Sequence, residues 1–197
     1  MMLDHYVLSV APTTLPVLLC DVKSWGRITW DTDDTMLESL MLAATQKAEQ
    51  FTNRVFIQRT FTGYFECLEC PHGYEKGYYL ALRRAPIVSV TTVKVYEDDI
   101  LETISSDDYD LKPTAGFSRI IFSEINNSPD TVPYPYQVEF VAGYGTKTTD
   151  VPEPIKLAIK QTVSYWYQNR GDCDCGSEMP GTAKEILGEY RILNTYG

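Results

Sequence analysis

Two short cysteine pairs carry the sharpest chemistry in this sequence. Cys67-Leu68-Glu69-Cys70 and Cys173-Asp174-Cys175 supply four thiols, and His72 could substitute for one of them. Four such ligands suit a tetrahedral zinc ion. The second pair has a single-residue spacer, which matches zinc-ribbon spacing poorly. Its loop, Gly171 to Gly176, is rich in Gly and Asp, and nothing in the sequence forces the two loops together. Free thiols are therefore expected. With Cys20 the cysteine count is five, and an odd count without a signal peptide favours reduced thiols in a cytoplasmic setting.

The remaining constellations are weaker. Asp31-Thr32-Asp33-Asp34 could ligate a divalent cation, but its place just before an apolar helical pattern reads as N-capping. Gly143-Tyr144-Gly145 is short for a phosphate loop and precedes a proline-initiated helix, so a strand-to-helix turn explains it. Trp166-Tyr167 could form a ligand platform, yet at helical spacing the pair reads as core or interface. The two histidines, His5 and His72, have no partner nearby in sequence and read as loop residues. No Walker A, nucleophile-elbow, zincin or dinucleotide fingerprint occurs. The expectation is a chain with no catalytic residues, no bound metal and no cofactor.

Charge and composition narrow the class further. The chain has 197 residues and a formal charge of −10. That balance argues against gripping nucleic acid through its phosphates and is compatible with an acidic wall that repels them. Hydrophobic residues make up 44%, enough for a real core. No apolar run approaches the length of about 18 residues that spans a bilayer, so no membrane partner is expected. Met1 to Val10 lacks the basic cluster of a signal peptide. Fourteen tyrosines suit subunit interfaces and β-sheets alike.

These residues must be positioned by elements that change period twice. Val17 to Gly26 has a helical pattern with Leu18, Val22 and Trp25 on one face. A stronger helix follows the Asp31–Asp34 run, with Leu37, Leu40, Met41, Ala44, Ala48 and Phe51 at steps of three and four, ending near Asn53. From Phe56 the period becomes two. Strands are expected over Thr60 to Phe65, Tyr78 to Leu82, Val88 to Tyr96, Leu101 to Ile104, Tyr109 to Lys112, Arg119 to Phe122 and Gln137 to Ala142. Pro and Asn between Asn126 and Pro135 mark a loop. Helical spacing returns with Ile155, Ala158, Ile159, Thr162, Val163, Trp166 and Tyr167. A last helix, Thr182 to Tyr190, places Ala183, Ile186, Leu187 and Tyr190 together.

Neither terminal helical pair can bury its apolar face alone. The expected fold is α+β: a helical frame from the N- and C-terminal helices with an inserted antiparallel β-rich region. Residues 1–55 would give the first helices of the frame, 56–145 the β insertion, and 146–197 the last helices and a tail.

Phe140-Val141-Ala142-Gly143-Tyr144-Gly145, then Val151-Pro152-Glu153-Pro154-Ile155, then Trp166-Tyr167-Gln168-Asn169-Arg170 form an ordered set. With the acidic-capped helix Asp31 to Ala44, the segment Leu82-Arg83-Arg84-Ala85-Pro86-Ile87-Val88-Ser89-Val90 and the pair Tyr190-Arg191, they resemble the head–tail connector proteins of tailed bacteriophages. These are also called adaptor or head-completion proteins. The likeness runs from about Pro16 to Arg191, with departures in the Gly171 to Gly176 loop and before Pro16. It implies a structural virion protein and no catalysis. It implies a homo-oligomeric ring of about a dozen copies beneath the portal protein, in the neck of the virion, assembled in the host cytoplasm. It also implies a stopper or tail-completion protein docked below, and genomic DNA passing through the lumen without specific binding.

On that reading the C-terminal segment, Tyr190, Arg191, Ile192, Leu193 and Tyr196, docks on the portal. Leu37, Leu40, Ile155, Ile159, Trp166 and Tyr167 form the helix face of core and ring. Three other readings compete: a phage stopper or tail-completion protein, a β-rich binding module with Tyr74, Tyr78 and Tyr79 as a platform, and a metal-dependent enzyme. Metal analysis of the purified protein checks the cysteine reading, with zinc expected below about a tenth of an equivalent per chain.

Overall fold

Leu37, Met41, Ala44 and Ala48 wind into one stripe of helix α2 (Asp34–Thr52), and all four are buried. A stripe of this kind needs an opposing apolar surface. Helix α3 (Glu153–Gln168) supplies it with Ile155, Ala158, Ile159 and Val163, each fully buried. In a computed structural model, residues 5–69, 78–97, 100–113, 118–122, 132–170 and 178–192 are described. The chain divides into two compact units, residues 12–57 with 144–197, and residues 1–11 with 58–143.

The first unit is helical. Helix α3 packs against α2, α1 (Leu19–Gly26) and α4 (Gly181–Gly188). Its core adds Val22, Phe56, Ile57, Met179, Ala183 and Leu187. Burial of each large aliphatic side chain contributes about 1.5–3 kcal/mol. Buried hydroxyls are satisfied within their own helices. Thr45, Thr52 and Thr162 each donate to the carbonyl four residues back, at 2.8 Å. Helix α2 ends at Asn53 in the left-handed region (φ 55°), where Asn is tolerated. Helix α1 departs from the sequence expectation. Val22 is buried, but Leu18 and Trp25 on the same face are 51% and 48% exposed, because they lie at the two ends of so short a helix, Leu18 at its N-cap and Trp25 in its last turn.

The second unit holds two antiparallel sheets. Strands β1 (His5–Val10), β2 (Arg59–Phe65), β4 (Ile87–Glu97), β5 (Ile100–Thr103) and β8 (Tyr136–Ala142) form one sheet in the order β1-β2-β8-β4-β5. Strands β3 (Tyr79–Leu82), β6 (Tyr109–Pro113) and β7 (Ser118–Phe122) form the other, ordered β3-β7-β6. Alternation on the central strands is strict: Phe61, Gly63 and Phe65 of β2 face inward with Tyr136, Val138, Phe140 and Ala142 of β8. Phe61 stacks on Phe140 at 5.8 Å between ring centroids.

Strand β1 has no counterpart in the sequence expectation. Five of its six residues are exposed, so no alternation marks it. Its anchor is Tyr6, whose ring meets Phe65 and Phe140 edge-on and whose hydroxyl accepts from the Arg83 amide at 3.2 Å. The architecture is α+β, with the inserted β-rich region antiparallel throughout its two sheets. Among the described residues no helix is long and apolar enough to cross a membrane.

The contrast between the two sides of α2 is measurable. Leu37→Ala should cost about 2–5 kcal/mol in chemical denaturation, whereas Leu42→Ala, on the exposed side of the same helix, should stay within about 0.5 kcal/mol. Equal losses would contradict the burial pattern.

Candidate functional site

Helix α2 is held at both ends by residues from the last quarter of the chain. At its start, Asp33 occupies the N-cap position but caps nothing with its side chain. Its Oδ2 instead accepts from the Tyr167 hydroxyl at 2.5 Å and from Trp30 Nε1 at 3.3 Å, with the Arg170 guanidinium 3.7 Å away. Lys23 joins the same region by pairing with Asp31 and, at 2.7 Å, with Asp34. The capping role read for this acidic run is thus corrected: a tertiary hydroxyl and an internal lysine take up the carboxylates. Tyr167, then Trp30 and the Arg170 charge, hold the Asp33 carboxyl below the usual range. Hydrogen bonds to Asp31 and Asp34 raise Lys23. Among the described residues no group of three His, Cys, Asp or Glu side chains suits a metal ion.

At the other end of α2 the chain beyond α4 is clamped. Arg54 Nε donates to the Tyr190 carbonyl at 2.6 Å, and Asn53 Nδ2 to the Ile192 carbonyl at 3.0 Å. The Ile192 amide donates to the Thr52 carbonyl at 2.9 Å, and the Arg191 guanidinium lies over the Phe51 ring. Ile192 is buried, Arg191 exposed and Tyr190 half-buried. Leu193 and Tyr196 lie outside the described residues. Beside this clamp an open groove of about 380 Å³ is lined by Lys47, Gln50, Phe51, Glu178, Met179 and Lys184.

The helix-face residues fall into two groups. Leu37, Ile155 and Ile159 are fully buried, and Tyr167 nearly so; they are core. Leu40 and Trp166 are half-buried against that core, and Trp166 Nε1 donates to the Glu178 carbonyl at 3.0 Å. The turn after β8 is structural. Gly143 adopts φ 137°, and a Cβ on Gly145 would collide with the Asp150 carboxylate. Within the helical unit, the Tyr144 amide donates to the Phe56 carbonyl at 3.1 Å and Ile57 bridges Gly145.

Other sequence candidates disperse. Cys20 and Cys67 are exposed, while Cys70, Cys173, Cys175 and His72 lie outside the described residues. His5 is exposed on β1. Tyr79 is 5% exposed beneath the Arg119 guanidinium and Tyr78 is 47% exposed, so no flat pair forms; Tyr74 lies outside the described residues. Sequence reading missed a surface: the outer side of α2, where Met36 and Leu42 are exposed. Reading period as burial hid it.

A family model described as head completion protein matches residues 18–193. Among curated proteins none matches significantly. The fold is similar to a chain in the neck of an empty gene transfer agent particle computed with sixfold symmetry, with TM-score 0.78 and 18% identity over 98% of both chains. It is similar to one in the virion of a native gene transfer agent particle, with TM-score 0.75 and 18% identity over 98% of this chain and 97% of that one. A chain in the native neck computed with twelvefold symmetry gives TM-score 0.65 and 19% identity over 96% and 98%.

The Asp33 cluster has a pH signature. An unfolded Asp titrates near 3.9, and the folded group lies lower. Its stabilisation is complete above the unfolded value and is lost as pH falls through the folded one. Melting temperature followed between about pH 5 and pH 3 should fall less steeply for Asp33→Asn than for the parent, starting from a lower value. Parallel acid limbs would remove the cluster from the account.

Proposed function

This chain belongs to the head completion protein family, and we propose that it works as a ring-forming subunit beneath the portal. Its role is structural, as a head–tail connector component of a phage-type particle. The observation that carries the reading is the family match over residues 18–193, which takes in both ends of the helical unit. The ring, of about a dozen copies, would extend the DNA channel in the particle neck and offer its far side to a stopper or tail-completion protein. It performs no catalysis on this reading. DNA passes through the lumen without specific binding, and a formal charge of −10 per copy supports that by repelling phosphates.

Two features of the helical unit support a subunit of this kind. Its core closes within one chain, so a free subunit is already folded when it meets the particle. Its late segment is fixed to α2 through Tyr190 and Ile192, which aims the residues that follow from a rigid base. With Ile192 buried and Tyr190 half-buried, we assign the docking contact to exposed Arg191 and to the residues beyond Ile192, Leu193 and Tyr196 among them.

The test adds purified protein to portal-bearing heads that lack it and images them by electron microscopy. A ring at the portal vertex is expected; binding spread over the capsid would contradict the proposal. Deleting residues 193–197 should abolish that attachment while keeping the Ile192 clamp. Deleting 191–197 should in addition lower the melting temperature, because the bonds to Thr52 and Asn53 go with it. Normal attachment by the shorter truncation would reject the docking assignment.

A further inference from the structure

The five-stranded sheet ends in two unlike edges, β1 and β5, and among the described residues no strand pairs with the outer side of either. An unpaired row of N–H and C=O groups takes one kind of occupant, an extended strand. Solvent-exposed edges are normally blunted by Lys or Pro. Strand β1 carries no Lys, Arg, Asp, Glu or Pro, and Val7, Leu8 and Val10 are 42%, 45% and 58% exposed. Its one irregularity is a register shift between Leu8 and Val10. The regular stretch is therefore His5–Leu8, which matches the 4 residues of β5.

Direction narrows the occupant. Every neighbouring pair in this sheet is antiparallel, and the strand count is odd, so β1 and β5 run the same way. A copy turned about a ring axis keeps nearly the same orientation as its neighbour. Its β5 then arrives parallel to β1, with both core faces on one side of the joined sheet.

Side chains on that face complete the match. Leu8 lies there, opposite Phe61, as does Tyr6. By register Ile100 and Glu102 lie there too, because Glu102 pairs with Val95 and Val95 with buried Tyr136. Ile100 is 62% exposed and Glu102 is exposed. The Arg84 guanidinium covers the same face at the other edge, 5.4 Å from the Tyr6 ring centroid and 5.9 Å from that of Phe61. Its Nε is buried without a hydrogen-bond partner. Among the described residues neither Arg84 nor Glu102 has an ion pair, whereas neighbouring Arg83 pairs with Glu69 at 2.6 Å.

We infer that β1 of one copy pairs with β5 of the next, so that the sheet continues from subunit to subunit, and that Arg84 receives Glu102 of the neighbouring copy. The inference rests on the ring reading above. Setting Ile100 beside Tyr6 puts Glu102 beside Leu8, next to the Arg84 guanidinium. A guanidinium already held over two rings loses little freedom when a carboxylate arrives, and the bond it makes is charge-assisted. Two unlike edges of one chain make the head-to-tail contact that closes a ring.

Arg84 and Glu102 stand at opposite edges of one sheet, so an exchange of their charges is felt only between copies. Variants are added to portal-bearing heads, ring incorporation is quantified by electron microscopy, and the melting temperature is recorded. Glu102→Arg should lose about tenfold or more in incorporation with the melting temperature unchanged, because like charges then meet. Arg84→Glu should lose as much, and the two substitutions together should regain most of the loss. Glu185→Arg, an equal change of charge on exposed α4, should incorporate like the parent. Parental incorporation of Glu102→Arg overturns the inference and leaves β1 to a foreign strand. An equal loss with Glu185→Arg also overturns it, by making the effect one of net charge, and so does an exchange that restores nothing. Should Arg84→Glu lower the melting temperature, Arg84→Gln takes its place: combined with Glu102→Gln it should lose no more than either alone, and additive losses overturn the pairing. Failure of the unsubstituted protein to form rings would instead remove the ring reading itself.

Discussion

The helical core must be closed by two segments separated by the whole β insertion, and the rest of the structure answers to that constraint. The stripe on α2 and the stripe on α3 are each too small to stand alone, and each packs on the other. The chain must therefore leave the helical unit after Ile57 and return at Tyr144 at neighbouring points. The Phe56–Tyr144 hydrogen bond and the Ile57–Gly145 bridge tie those points together. Once the base is closed, the intervening length matters little, because closure entropy grows only with the logarithm of loop length. A β-rich insertion that folds on its own aromatic core adds little further strain to this arrangement.

Closure by burial alone would leave α2 free to slide along α3. Directional contacts remove that freedom. Asp33, at the head of α2, bonds Tyr167 near the tail of α3, which makes the two helices antiparallel neighbours. Thr52, Asn53 and Arg54, at the foot of α2, bond the backbone of Tyr190 and Ile192. Helix α2 is thus pinned at both ends by residues that lie more than a hundred positions away in sequence. These pins fix α2 within the unit, and a fixed surface loses little entropy when a partner binds it.

How much of this was legible follows from what kind of information each feature needs. The α2 and α3 stripes repeat at three and four residues and are read directly, as is the alternation of Phe61 and Phe65 with Val138 and Phe140 on the strands that meet. Features that depend on a distant partner were not. Asp33 looked like a cap because capping is local, whereas Tyr167 is 134 residues away. Ile192 looked like part of a free tail because nothing nearby predicts its bonds to Thr52 and Asn53. Strand β1 was invisible because its exposed side chains show no period; Tyr6 alone anchors it. On α1 the period was read correctly and its burial was not, since periodicity says which residues share a face and not whether anything covers it.

On the proposed ring reading, the net negative charge bears on assembly. Ring subunits meet two opposed demands: they should not polymerise in free solution, yet must close on a template. A strongly apolar contact meets the second and fails the first, because exposed apolar patches beyond a few hundred Å² associate without a template. A small, mildly polar contact meets both. A formal charge of −10 on each copy opposes encounter over about a Debye length, near 8 Å at cellular ionic strength. Once one copy is held on the particle, the next arrives at a raised effective concentration, and a contact too weak to act alone becomes sufficient. On the proposed ring reading, the negative charge of this chain would act as a threshold that the geometry of the template overcomes.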